Sequence, residues 1–172
     1  ILEAMQRSLP VIGHCLGGQL MARALGAQVR ASPRPEIGWQ HVEVKASAAA
    51  QDWFGQPGQQ RVMQWHYEAF DLPAGAELLA HSEACPVQAF AIGPHLAMQF
   101  HIEVDETKLQ VWTAEQSEAW EHAESTFNTV QGGPCIRALA AAALPPHQAL
   151  ARRIYSRWLN GTPWAAHTIS AL

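Results

Sequence analysis

The chain has 172 residues, 48% hydrophobic and 15% charged, with a formal net charge of -4. That composition supplies one sizeable core and lacks the basic excess that would bind a nucleic-acid backbone or an anionic membrane surface, so neither partner is expected. No apolar run approaches the ~20 residues that cross a bilayer and no charged-then-apolar leader is visible, so a soluble, cytoplasmic protein is expected.

The opening ILEAMQRSL sets Ile1, Leu2, Met5 and Leu9 at helical spacing, and because it starts within that pattern, residues upstream of Ile1 are expected. Leu9 to Ile12 read as a buried strand. A helix over Leu16 to Leu25 follows at once, with Leu16, Leu20, Met21, Ala24 and Leu25 on one stripe and Gly26 as its stop. Strand passing directly into helix is the first half of a βαβ unit. The two prolines of SPRPEIGWQ predict a break, and HVEVK then alternates as a half-exposed strand. AAAQDWFGQPGQQ reads as a helical turn and a loop. RVMQWH, AELLAHSE, VQAFAIG and LAMQFHI read as strands, the last two joined in a hairpin by Gly93 and Pro94. Helices dominate from residue 105: one over Thr107 to Ala123 that places Leu109, Trp112 and Trp120 on a face, a short one at IRALAAAAL, and one carrying the stripe Leu150, Ile154, Trp158. A single domain over 1–172 is expected, with 105–172 as its C-terminal helices.

Cys15 stands between glycines in PVIGHCLGGQ, where strand turns to helix. The first turn of a helix leaves N–H groups unpaired and carries partial positive charge, which favours a thiolate and can receive the charge of an oxyanion, starting at the Leu16 N–H. Gly13 and Gly17 leave room for a strained elbow like the G-x-S-x-G of hydrolases. A buried structural cysteine in an ordinary tight turn explains the same pattern, so the assignment turns on a general base. Of nine histidines, His41, His122, His147 and His167 read as solvated, and His14, one position from Cys15 in a strand, reads as facing away. His101 differs, because Glu103 lies two residues on in an apolar strand, and period-two geometry puts both side chains on one face.

These residues resemble the class I (triad) glutamine amidotransferases. Gly13, Cys15, Gly17 and Gln19 match G-x-C-x-G-x-Q, Phe100, His101 and Glu103 match F-H-x-E, and PEIGW at 35–39 with MQWHYEAFDLPAGAELLAHSE at 63–83 is similar to stand-alone members related to the amidotransferase domain of GMP synthase. The resemblance implies a doubly wound, mostly parallel sheet flanked by helices, of flavodoxin-like type and lacking its N-terminal strands in this sequence. It implies Cys15 as nucleophile, His101 as proton relay and Glu103 as its orienter, with Leu16, Gly17, Gln19, Trp65 and Tyr67 at the substrate. Where the family has proline between histidine and glutamate, Ile102 stands here, with the spacing intact. The strands and the second oxyanion donor that precede the cysteine in the family have no counterpart, so a fragment is expected.

The implied reaction is glutamine hydrolysis through a thioester, releasing ammonia for an unidentified acceptor; either that acceptor lies on another chain, such as a separate synthase subunit, or the enzyme is a plain amidase. Competing readings are a γ-glutamyl hydrolase or peptidase, a cysteine-type relative of dienelactone hydrolases, and a non-catalytic binding domain of the same fold. No GxxxxGK[ST], GxGxxG or HExxH occurs, so no nucleotide, cofactor or metal is expected. Cys85 and Cys135 read as structural, and three widely spaced cysteines argue against a disulfide framework.

Overall fold

The computed structural model describes residues 1–161; the end of the expected C-terminal helical region, His167 included, lies outside them. In chain order the elements are α1 (Leu2–Gln6), β1 (Ile12–His14), α2 (Leu16–Ala24), β2 (Val29–Val44), α3 (Ala48–Phe54), β3 (Gly58–Phe70), β4 (Glu77–His81), β5 (Ala89–Ile92), β6 (His95–Met98), α4 (Glu106–Trp112), α5 (Glu118–Thr126) and α6 (Gly133–Asn160).

The strands form one six-stranded sheet in the order β1-β6-β5-β4-β2-β3. Only β1 and β6 run parallel; the other neighbours pair antiparallel. This corrects the expected mostly parallel, doubly wound sheet. The links joining β4, β5 and β6 are too short to carry a crossover helix, so those strands must reverse direction. The hairpin at Gly93 and Pro94 is present, with Ile92 opposite His95.

Two proline pairs mislead local reading. β2 passes through Pro33 and Pro35 because the β2–β3 register shifts between Ala31 and Glu36, so neither proline must supply a ladder bond there. α6 continues through Pro145 and Pro146, joining the two helices expected at 136–144 and beyond. Interior proline costs a helix about 3 kcal/mol. Here Ile136, Ala143 and Leu144 on one side of the prolines and Ala151 and Ile154 on the other are held in the core, which keeps the halves in line. The helix expected over 107–123 is instead two, α4 capped by Asp105 and α5 capped by Ser117, whose side chains accept from Lys108 N and Trp120 N.

β6 shows how the layers meet. Leu96 and Met98 join Trp53 and Phe54 of α3 and Ile154 of α6 on one face, while Ala97 joins Met21 and Ala22 of α2 on the other. A strand covered on both faces reads as a continuous apolar run, as Leu96, Ala97 and Met98 do. β1 and β6 end side by side, and the turns that follow them carry Cys15 and His101.

Candidate active site

Cys15 sits between β1 and α2 with φ 44° and ψ -109°, a conformation a side-chain-bearing residue rarely holds. Its N–H donates to the Met98 carbonyl at 2.9 Å, which pins the elbow to the end of β6. The glycines explain how the turn closes. A Cβ at Gly13 would lie 2.5 Å from the Gly17 carbonyl carbon, and one at Gly18 2.7 Å from the Met98 oxygen, whereas one at Gly17 would meet nothing within 4 Å. Gly13 and Gly18, rather than the expected Gly13 and Gly17, make the close approach possible; Gly17 borders open space.

His101 lies beyond β6 in a turn, not in the strand expected for it, so strand periodicity is not what aligns it with Glu103. The turn brings His101 Nδ1 to 2.7 Å from Glu103 Oε1, with Ile102 buried in the core at the place of the family's proline. His101 also interacts with the Cys15 side chain, whose Sγ donates to the Trp65 carbonyl at 3.6 Å. The three side chains therefore meet. Burial by itself would lower the His101 pKa, but its hydrogen bonds to Cys15 and Glu103 and their negative charges outweigh that and raise it to about 9. Burial would raise Glu103, and the hydrogen bond to His101 together with the imidazolium charge draws it down to about 2. The His101 ring is walled by Trp112, edge-on with centroids 4.9 Å apart, and its carbonyl is engaged by His147 Nε2 at 2.9 Å.

The residues expected at the substrate divide into two groups. Leu16, 64% exposed, heads α2, where no helical carbonyl is available to its N–H. Tyr67 is 41% exposed. Gln19 turns inward, 6% exposed, and its Nε2 donates to the Glu68 carbonyl at 3.2 Å. Trp65 places its indole against Trp112 and Trp120, and it is its backbone carbonyl that faces Cys15, 3.6 Å from Sγ.

Three features were not legible beforehand. His147, expected in solvent, is fully buried against the Trp39 ring, and burial lowers its pKa. His14 approaches the second oxygen of Glu103: Nδ1 is 3.9 Å from Glu103 Oε2 and Nε2 is 3.3 Å from the Tyr155 hydroxyl. Third, β3 is braced from beneath by a buried polar cluster. Glu36 Oε2 accepts from His66 Nε2 at 3.1 Å and Gln88 Nε2 at 2.6 Å, Oε1 accepts from Ser82 Oγ at 2.9 Å, and Gln64 Nε2 donates to Gln88 Oε1 at 2.9 Å. His66 Nδ1 also bonds the Glu68 carbonyl that holds Gln19. A carboxylate inside the apolar stretch PEIGW was the one available sign of this cluster. A cavity of about 560 Å³ flanks it, bordered by Gln40, His41, Glu43 and His81 but by none of Cys15, His101 and Glu103. No group of three or more metal-ligating side chains occurs among the described residues, and their three cysteines are free.

The family description "Glutamine amidotransferase class-I" matches residues 1–117. The chain belongs to the class I glutamine amidotransferases. Among relatives of this amidotransferase, a glutamine-hydrolyzing GMP synthase of Aeropyrum pernix is 38% identical over 106 residues, 60% of this chain and 20% of its own length. One subunit of a glutamine-hydrolyzing GMP synthase of Thermococcus kodakarensis is 36% identical over 104 residues, 59% of this chain and 54% of its own. In structure, a glutamine amido transferase from Methylobacillus flagellatus superposes with a TM-score of 0.87 at 32% identity, covering 93% of this chain and 66% of that one. The amidotransferase thus spans a fifth to about half the length of these curated relatives. Its α/β architecture is that of the Methylobacillus structure, and no helix among the described residues is long and apolar enough to cross a membrane.

Proposed function

We propose that this chain is a glutaminase that hydrolyses the side-chain amide of glutamine and delivers ammonia to an acceptor bound on a separate synthase subunit. One observation carries the reading: a single imidazole, His101, interacts with Cys15 and is hydrogen-bonded to Glu103 at 2.7 Å. The sulfur attacks the amide carbon, and the charge that gathers on the carbonyl oxygen meets the Leu16 N–H at the head of α2. The imidazolium gives its proton to the departing nitrogen as the C–N bond breaks, leaving a glutamyl thioester and ammonia. Water then attacks the thioester with its proton passing to His101, and glutamate and the cysteine are released. Glu103 keeps His101 in one tautomer and stabilises its charged form. The backbone around Trp65 and Tyr67 lies where it can receive the amino-acid end of glutamine, with Gly17 leaving the approach open and Gln19 holding β3 against α2. The Thermococcus relative, itself one subunit of a GMP synthase, supports the two-chain arrangement.

Labelling tests this directly. A glutamine-analogue diazo ketone is expected to modify Cys15 alone, with glutamine protecting it. Cys85 is buried, and that burial, followed by the Glu36 charge, pushes its pKa up to about 12, while Cys135 is exposed and borders a surface pocket that contains neither His101 nor Glu103. Equal labelling of Cys15 and Cys135, unaffected by glutamine, overturns the proposal. Cleavage of γ-glutamyl peptides without cleavage of free glutamine would reassign the substrate.

A further inference from the structure

Resting on the glutaminase reading, we infer that His14, oriented by Tyr155, is a positioning residue that holds the second oxygen of Glu103. The first observation is an imbalance. Glu103 Oε1 takes the His101 proton at 2.7 Å, while Oε2 is buried and has no hydrogen-bond partner. A carboxylate oxygen in that condition leaves the plane of the carboxylate fixed by a single bond. The second observation is the donor standing opposite it. His14 Nδ1 is 3.9 Å from Oε2, and the other ring nitrogen is engaged by Tyr155 Oη at 3.3 Å with the two rings edge to face. If the phenol donates to Nε2, Nδ1 must carry the proton of the neutral ring, and it faces the unsatisfied oxygen. Burial lowers the His14 pKa ahead of the opposing pull of Glu103, with His101 and Lys108 lowering it further, so the neutral ring is the form at pH 7. A 3.9 Å separation closes with a small rotation of either side chain, as polar contacts in substrate-free sites commonly tighten on binding.

The arrangement joins three parts of the fold. His14 is the last residue of β1, Glu103 lies in the turn after β6, and Tyr155 is on α6. The residue next to the nucleophile thus steadies the acid that steadies the base, so Cys15 and the His101–Glu103 pair are tied to the same strand end by two routes. His14 touches neither substrate nor sulfur in this scheme; it acts through Glu103.

The test uses the full chain and separates this inference from the reaction itself. In wild-type protein, ¹⁵N spectra of the imidazoles are expected to show His14 as the Nδ1–H tautomer, changed by Tyr155→Phe; an Nε2–H tautomer overturns the inference whether or not glutamine is hydrolysed. In steady-state hydrolysis, His14→Leu is expected to lower kcat about tenfold, the worth of one hydrogen bond to a charged group, with KM for glutamine unchanged. His14→Asn, which returns an N–H donor near the Nδ1 position, is expected to recover most of kcat, and Tyr155→Phe to lose about threefold. Equal losses in His14→Leu and His14→Asn would make the role one of packing, and an unchanged kcat in His14→Leu would remove it altogether. A wild-type chain that neither hydrolyses glutamine nor takes the diazo ketone would instead defeat the glutaminase reading, leaving the tautomer result to judge His14.

Discussion

Among the described residues two histidine–glutamate pairs are joined by hydrogen bonds, and their surroundings differ in kind. His66 and Glu36 have side-chain exposures of 0% and 3%, and the carboxylate accepts from His66, Ser82 and Gln88 together. His101 and Glu103 have 14% and 25%, with one carboxylate oxygen on His101 and the other unsatisfied. A buried charge with every partner in place resists change, because moving any member strands the rest in low dielectric. A pair that reaches a sulfur and keeps a spare oxygen can exchange a proton. The same two residue types therefore serve as a brace under β3 and, in the proposed reaction, as working groups beside Cys15, and the neighbours decide which.

That contrast can be broken at either end. The largest effect is expected at the sulfur: Cys15→Ala should reduce glutamine hydrolysis by at least on the order of 10³-fold while circular dichroism and urea unfolding stay as in wild type. Cys15→Gly should go further and raise the urea midpoint, since glycine relieves the positive φ. Glu36→Ala should do the reverse of Cys15→Ala, lowering unfolding free energy by about 3–5 kcal/mol because it leaves His66, Ser82 and Gln88 without their shared acceptor. A Glu36→Ala protein as stable as wild type would mean the cluster carries no structural load.

Glu103→Gln sharpens the comparison through pH. His101 is raised from 6.5 to about 9, so its contribution to stability is complete below 6.5 and is lost as pH rises through 9. Glu103 is lowered from 4.5 to about 2, so its contribution is present above 4.5 and is lost as pH falls toward 2. The acid slope rests on the His101–Glu103 bond and the alkaline slope on that bond together with Cys15, so in chemical unfolding followed across pH Glu103→Gln should abolish the first and reduce the second. In the proposed reaction the imidazolium protonates the leaving nitrogen, so hydrolysis should fall off through about pH 9 in wild type. In Glu103→Gln the alkaline limb should move to lower pH and kcat should drop on the order of 10²-fold or more. A limb that stays in place would detach Glu103 from His101. The smallest effect is expected at Gly17, where alanine meets no neighbour and should raise stability by up to about 1 kcal/mol through helix propensity. Gly13→Ala, facing backbone at 2.5 Å, is expected to cost far more in the same urea unfolding measurement.

What the chain spells out locally is what short-range physics controls: the glycine-flanked cysteine at a helix start, the α2 stripe, the Gly93–Pro94 hairpin, and a His–Glu pair two residues apart. Each depends on residues within one turn of one another. The orientation of β2 to β6, the passage of β2 and α6 through their prolines, and the inward turn of His147 were settled by tertiary packing, because burial against distant strands outweighs the local preference of a proline or a polar ring. The partner of Glu36 comes from β3, thirty positions away, and the group facing the spare oxygen of Glu103 comes from β1. No spacing rule links such residues. Sequence could suggest a chemistry for Cys15; only the folded sheet, by laying the ends of β1 and β6 side by side, could bring His101 within reach of it and put a second histidine behind Glu103.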